Sequence, residues 1–125
     1  MQFLELDDVL ALHRRGLERH GGMSGIRDMG LVESALGSAQ NVYYYGGGDE
    51  FAVAAAYAFH LAESQAFFDG NKRVAISAAI MFLAHNGWHV PPSAADALYD
   101  AMIAIATHDL DKPGLAALLR KLFGK

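Results

Sequence analysis

The chain has 125 residues, enough for one hydrophobic core and too few for several domains. Hydrophobic residues make up 53% and charged residues 19%, which excludes a disordered chain, and the absence of cysteine excludes disulfides and thiolate metal sites. The net charge of −4, with a pI near 5.8, removes any global attraction to nucleic acid. The start, Met1 to Asp8, is acidic where a secretory leader would be basic, and apolar runs such as Phe51–Phe59 are too short to cross a bilayer. A soluble, cytoplasmic protein is expected, with no direct nucleic-acid or membrane partner.

Asp7 or Asp8 can cap a first helix, in which Leu6, Leu10, His13 and Leu17 share one face and Gly21-Gly22 marks the end. His13, on that apolar face, reads more readily as a satisfied, half-buried histidine than as a ligand. Ser24 to Asp28 is a loop, with Asp28 a candidate cap for a short amphipathic helix carrying Leu31, Val32, Ala35, Leu36 and Ala39. Asn41 to Gly48 then changes character. Tyr43, Tyr44 and Tyr45 beside Val42 favour extended backbone, and Gly46 to Gly48 favour a turn. The stretch reads as a short strand or hairpin flap whose edge pairs with an extended peptide, or else as an aromatic loop packed over the core.

Asp49 can cap the next helix, Phe51–Ser64, which is apolar on almost every side and therefore buried. Val74 to Asn86 is a second such helix, closed by Asn86-Gly87 and kept from resuming by Pro91-Pro92. Ser93 and Asp96 form a capping-box pattern ahead of Leu98, Met102 and Ile105. Asp111, with Pro113 just beyond, opens a last helix striped with Leu115, Leu118, Leu119 and Leu122. Its Arg120, Lys121 and Lys125 suit the negative end of the dipole. The sum is an all-α bundle of about six helices with a short β-like flap.

Between the two buried helices lies Gln65-Ala66-Phe67-Phe68-Asp69-Gly70-Asn71-Lys72-Arg73. Phe67 and Phe68 are expected to anchor this loop in the core. Asp69 and Gly70 precede the helix, and Asn71, Lys72 and Arg73 form its first turn. A helix N-terminus presents unpaired N–H groups and a positive dipole end, and so binds anions. Gly70 allows close backbone approach, Arg73 can grip a phosphate through two bonds, and Lys72 adds a point charge. Two cations in a first turn oppose the dipole unless a ligand or a carboxylate compensates. Asp69 is that carboxylate, a Mg²⁺ ligand, or simply the cap. The competing reading is a capped helix with surface charges.

These residues resemble the motif of the Fic/Doc (Fido) domains, His-x-Phe-x-Asp/Glu-Gly/Ala-Asn-Gly/Lys-Arg. Phe67, Asp69, Gly70, Asn71, Lys72 and Arg73 match at the right spacing. Gly25 to Asp28, Gly30 to Leu36 and Phe82 to Gly87 also look like the Doc, death-on-curing, branch, so the resemblance covers most of residues 1–125 as a single Fido domain. It implies a Fido-type helical bundle and transfer from a nucleoside triphosphate to a protein hydroxyl. Lys72, where AMP-transferring members usually carry glycine, places the chain beside the Doc toxins, which phosphorylate translation elongation factor Tu. By resemblance Asp69 would hold Mg²⁺, Asn71 and Arg73 would bind the phosphates of ATP, and Gly70 and Lys72 would complete the cradle. Tyr43, Tyr44 and Tyr45 would belong to the flap that aligns the target. A Phd-like antitoxin would be the neutralising partner.

One position departs from the motif. The family's general-base histidine falls on Gln65, and the proline after it on Ala66. An amide cannot accept a proton at neutral pH, and a positioned base contributes roughly 10²–10⁴-fold. The resemblance therefore implies an impaired transferase or a catalytically dead domain that binds nucleotide or a partner. His60, five residues earlier on a helix, points away from Gln65.

Overall fold

Two helices that are apolar on nearly every side have to be enclosed by the others, and this requirement arranges the molecule. The structure, a computed structural model, describes residues 1–91 and 93–124. It contains helices α1 (Leu6–His20), α2 (Met29–Tyr44), α3 (Glu50–Ser64), α4 (Asn71–His85), α5 (Ala94–Ala106) and α6 (Lys112–Phe123). Helix α3 is the hub: α2, α4, α5 and α6 all pack against it, and α1 covers the other side of α4. Its alanines at 54, 55, 56 and 58 are fully buried, and such small side chains let neighbouring helices approach closely. The described residues form no sheet; one antiparallel bridge, Ile26 to Phe67, is the extended pairing present. No helix among them is long and apolar enough to cross a membrane.

The expected Tyr43–Gly48 flap is not a strand. Helix α2 continues through Tyr44, the Tyr45 N–H closes onto the Asn41 carbonyl at 2.9 Å, and the Gly48 N–H folds back onto Val42 at 3.0 Å. The stripe of Val32, Ala35, Leu36 and Ala39 extends at helical spacing to Val42, which packs against the core. The Tyr43 and Tyr44 rings lie against Phe3, with centroids 5.8 and 5.6 Å away. Packing on a helical face outweighs the weak β preference of tyrosine.

Helix starts follow the sequence in part. Asp49 accepts the Ala52 N–H at 2.9 Å and Asp111 accepts that of Gly114 at 2.8 Å, both as expected. At α1 the cap is Glu5, while Asp8 reaches back to the Glu5 N–H at 2.8 Å. Ser93 precedes α5 but its side chain makes no cap bond, so that box does not form, and Asp28 likewise makes none at α2. Arg120 does more than face a dipole: it forms a two-bond pair with Asp49, both contacts at 3.0 Å, and ties the end of α6 to the start of α3. That pair is half exposed and contributes about 0–1 kcal/mol. Pro92 and Lys125, expected to stop one helix and to complement another, lie outside the described residues.

The chain ahead of α1 is held by polar contacts to α3 and to the end of α4. Asn86 brackets Gln2, accepting its N–H at 2.8 Å and donating to its carbonyl at 2.9 Å. The fully buried Tyr57 hydroxyl of α3 accepts the Leu4 N–H at 2.9 Å, and burial raises the Tyr57 pKa to about 12. Tyr57→Phe leaves that N–H unpaired in the core and is expected to cost about 1–3 kcal/mol in urea unfolding. Between pH 10.0, where a free tyrosine ionises, and about 12, the folded state keeps a proton that the unfolded state has lost. Stability therefore falls as pH rises through that window, and the Phe variant lacks this component.

Candidate anion-binding site

The loop between α3 and α4 is built by satisfying backbone groups one at a time. Helix α3 ends at Gln65, which adopts the left-handed conformation at φ 55° and ψ 40°. The Arg27 guanidinium takes two carbonyls left open there, donating to Gln65 at 2.7 Å and to Ser64 at 3.2 Å. Ala66 and Phe67 then run extended beside Gly25–Asp28. The Ala66 carbonyl accepts the N–H groups of Arg27 and Asp28 at 2.7 and 3.0 Å.

Phe67 is buried, as expected, and its ring stacks on His13 with centroids 3.9 Å apart. Phe68 is not an anchor; it is 54% exposed because the bridge at Phe67 turns the next side chain outward. The Asn71 side chain, buried, brackets Phe67. Its Oδ1 accepts the Phe67 N–H at 3.1 Å, and its Nδ2 donates to the Phe67 carbonyl at 2.9 Å and, more weakly, to Gln65 Oε1 at 3.4 Å. The amide of Asn71 is thus used inside the loop, and what it turns toward a ligand is its backbone N–H. His13 is a satisfied histidine, as expected, though buried rather than half-buried: its Nε2 donates to the Asp69 carbonyl at 2.8 Å, beneath Gly70. Gly70 itself, not Asp69, is the helix cap, at φ 80°, where a Cβ would be strained.

Asp69 is exposed, and its carboxylate is oriented by two backbone N–H donors, Gly70 on Oδ1 at 2.8 Å and Met23 on Oδ2 at 3.1 Å. The Met23 bond and then the Gly70 bond, with smaller help from the charges of Arg73 and His13, hold its pKa below the ordinary aspartate range. Gly22 makes the approach possible, since a Cβ there would lie 2.7 Å from Asp69 Oδ2. Each carboxylate oxygen retains a free lone pair, so Asp69 can offer an anionic oxygen to a hard cation. Among the described residues no three His, Cys, Asp or Glu side chains gather as a metal cage. That fits an ion such as Mg²⁺ held by one carboxylate together with ligand phosphates.

These residues converge on one open depression of about 240 Å³ at the start of α4. Gln65, Asp69, Gly70, Asn71, Lys72 and Arg73, all singled out from sequence, line it together with Phe68 and Tyr99. The N–H groups of Asn71, Lys72 and Arg73 are the free donors of the first turn. Neither Lys72 nor Arg73 forms an ion pair with a described residue; the ion pair among the described residues, Arg120 with Asp49, is at the start of α3 and does not line the depression. Tyr43, Tyr44 and Tyr45 are not part of the lining, and the segment that touches the loop is Gly25–Asp28. No histidine lines it either. His60 sits beside Lys112 at 3.1 Å, its pKa lowered by burial and by that charge.

The sequence pattern of the Fic/DOC family matches residues 3–83. This chain belongs to the Fic/Doc family. It is similar to the protein kinase doc of Escherichia phage P1, with 34% identity over 125 residues, 99% of this chain and 98% of that protein. It is also similar to the toxin Doc of Mycolicibacterium smegmatis, with 36% identity over 123 residues, 94% of this chain and 91% of that protein. Within this Fic/Doc domain, reading the sequence missed four contributors. Arg27, the Gly22–Met23 backbone and Tyr99 come from distant segments; His13, on the apolar stripe of α1, and Arg27, in the Doc-like stretch Gly25 to Asp28, had a signal but no assigned role in the site.

Two substitutions test the build. Asn71→Ala leaves the Phe67 N–H and carbonyl without partners, and is expected to lower stability by about 1–3 kcal/mol for each orphaned group, with faster hydrogen exchange at Phe67. Gly22→Ala displaces the Met23–Asp69 contact, so the Asp69 carboxyl, followed by carbon NMR, should titrate at higher pH than in the wild type.

Proposed function

We propose that this protein is a Doc-type toxin of a toxin–antitoxin system. It would bind ATP with Mg²⁺ at the α4 N-terminus and transfer a phosphoryl group to a protein hydroxyl. By family resemblance the target is translation elongation factor Tu, the neutralising partner a Phd-like antitoxin, and the compartment the cytoplasm. The observation carrying this reading is the depression itself. Three unpaired amides and two cations held in no ion pair face it, beside a carboxylate that stays ionised at neutral pH.

ATP supplies the activated phosphoryl group and Mg²⁺ neutralises charge on it. Arg73, Lys72 and the amides of residues 71–73 bind and orient the phosphates, and Asp69 holds the cation. In the transfer, the bond from the terminal phosphorus to its bridging oxygen breaks and a bond to the target hydroxyl oxygen forms. Gln65 cannot take the hydroxyl proton, which passes to water. Such transfers run through a loose transition state, so positioning and charge stabilisation do most of the work, and slow turnover without a base is consistent with the site.

A second reading rests on Gln65. Its Nε2 donates to the Ala62 carbonyl at 3.0 Å and its Oε1 faces Asn71, so the side chain is drawn into the loop. The site then binds nucleotide or a partner without turnover. Transfer of label from γ-labelled ATP to elongation factor Tu distinguishes the two. The toxin reading expects transfer above an Arg73→Ala control and an increase of up to roughly 10²–10⁴-fold in Gln65→His. No transfer by the natural protein, with transfer by Gln65→His, leaves only the binding role.

A further inference from the structure

The nucleotide cradle is not the only place where unpaired positive charge converges. Arg73 also lines a second depression of about 160 Å³, between α1 and α4. Arg15, Arg19 and His20 of α1 line one wall, and Arg73 and Ser77 of α4 the other. Leu12 and Gly16 complete its lining, and no carboxylate lines it. The Arg73 stem lies close over Gly16, where an added Cβ would stand 3.5 Å from Arg73 Cδ, and Arg73 lines both depressions.

This arrangement opposes the protein's own electrostatics. The chain carries a net charge of −4, yet three arginines line this one depression. Arg15 and Arg19 are four residues apart on one helix face, a spacing at which like charges repel. Arg73 sits at the positive end of the α4 dipole. Only Arg19 and His20, in the last turn of α1, are placed favourably for a helix. Among the described residues none of the three arginines is held in an ion pair. An anion in the depression would relieve all of these repulsions at once.

We infer that this depression is a second oxyanion site, taking a phosphate group or a short polyphosphate, and joined to the cradle through Arg73. Donors from two helices close on a small concave volume, which suits a compact anion with several acceptor oxygens better than the two oxygens of a carboxylate. Ser77 adds a hydroxyl donor, and guanidinium forks match phosphate geometry. The phosphate arrives either free in solution or as the distal group of a ligand seated in the cradle. The site stands on the α1 cations and does not require that the protein transfer anything.

Calorimetric titration of the full chain with pyrophosphate tests this. The wild type is expected to bind at the cradle and at the α1 depression, and R15A/R19A to lose the second site, weakening it by at least about tenfold, while its melting curve shows an intact fold. R19K on its own should retain part of the affinity. If the cradle takes no pyrophosphate, the wild type shows one site and R15A/R19A abolishes it, so the two readings fail separately. Titrations with ATP and AMP identify the source, and both outcomes uphold the site. A distal phosphate of the cradle ligand makes R15A/R19A weaken ATP but not AMP, whereas a free anion leaves ATP binding unchanged. Pyrophosphate binding by R15A/R19A with wild-type stoichiometry and affinity overturns the proposal.

Discussion

The clasp of Asn71 on the backbone of Phe67 is the contact on which the rest of the site depends. A chain leaving one buried helix and entering another must reverse within a few residues, and its backbone polar groups have to find partners away from water. Asn71 meets both the N–H and the carbonyl of Phe67, so the loop closes on its own first helical residue. With Phe67 fixed and stacked on His13, the His13 bond to the Asp69 carbonyl sets where the turn is made. Everything presented to a ligand follows from that turn: the Gly70 cap, the direction of the first-turn amides and the exposed carboxylate.

The charges around the loop act in the opposite sense to fold stability. Lys72 and Arg73 occupy the end of α4 where the dipole disfavours cations, and Arg73 has Arg15 and Arg19 near it across α1. A helix selected only to fold would carry acids or neutral residues there. Asp69 offsets part of the positive field, and backbone donors keep it ionised. Local electrostatic cost combined with rigid backbone support is the signature expected of a binding site, where the ligand completes the balance.

Much of this could be read from the chain. The two helices that are apolar all round, the caps at Asp49 and Asp111, and the position of Asp69 to Arg73 at a helix start all came from patterns within a few residues, and local patterns survive folding. The flap did not. Tyr43 and Tyr44 favour strands in isolation, but Val42 continues the α2 stripe and Phe3, far earlier in the chain, gives the two rings a surface to pack on. Phe68 failed for a related reason: two adjacent phenylalanines look alike in sequence, yet an extended segment sends them to opposite faces.

The sequence by itself determined the helical architecture, the family and the gathering of Asp69 to Arg73 at one helix start, because each rests on spacing along one segment. Only the tertiary structure decided which groups hold that cluster in place. Arg27 capping α3, Met23 orienting Asp69, His13 supporting the turn and Tyr99 closing the wall are separated from the loop by tens of residues, and no local pattern pairs them. The same holds for the basic depression on α1, whose arginines look like ordinary surface charges until α4 brings Arg73 beside them. Contacts between distant segments are set by how the helices pack, and that packing is a property of the whole core.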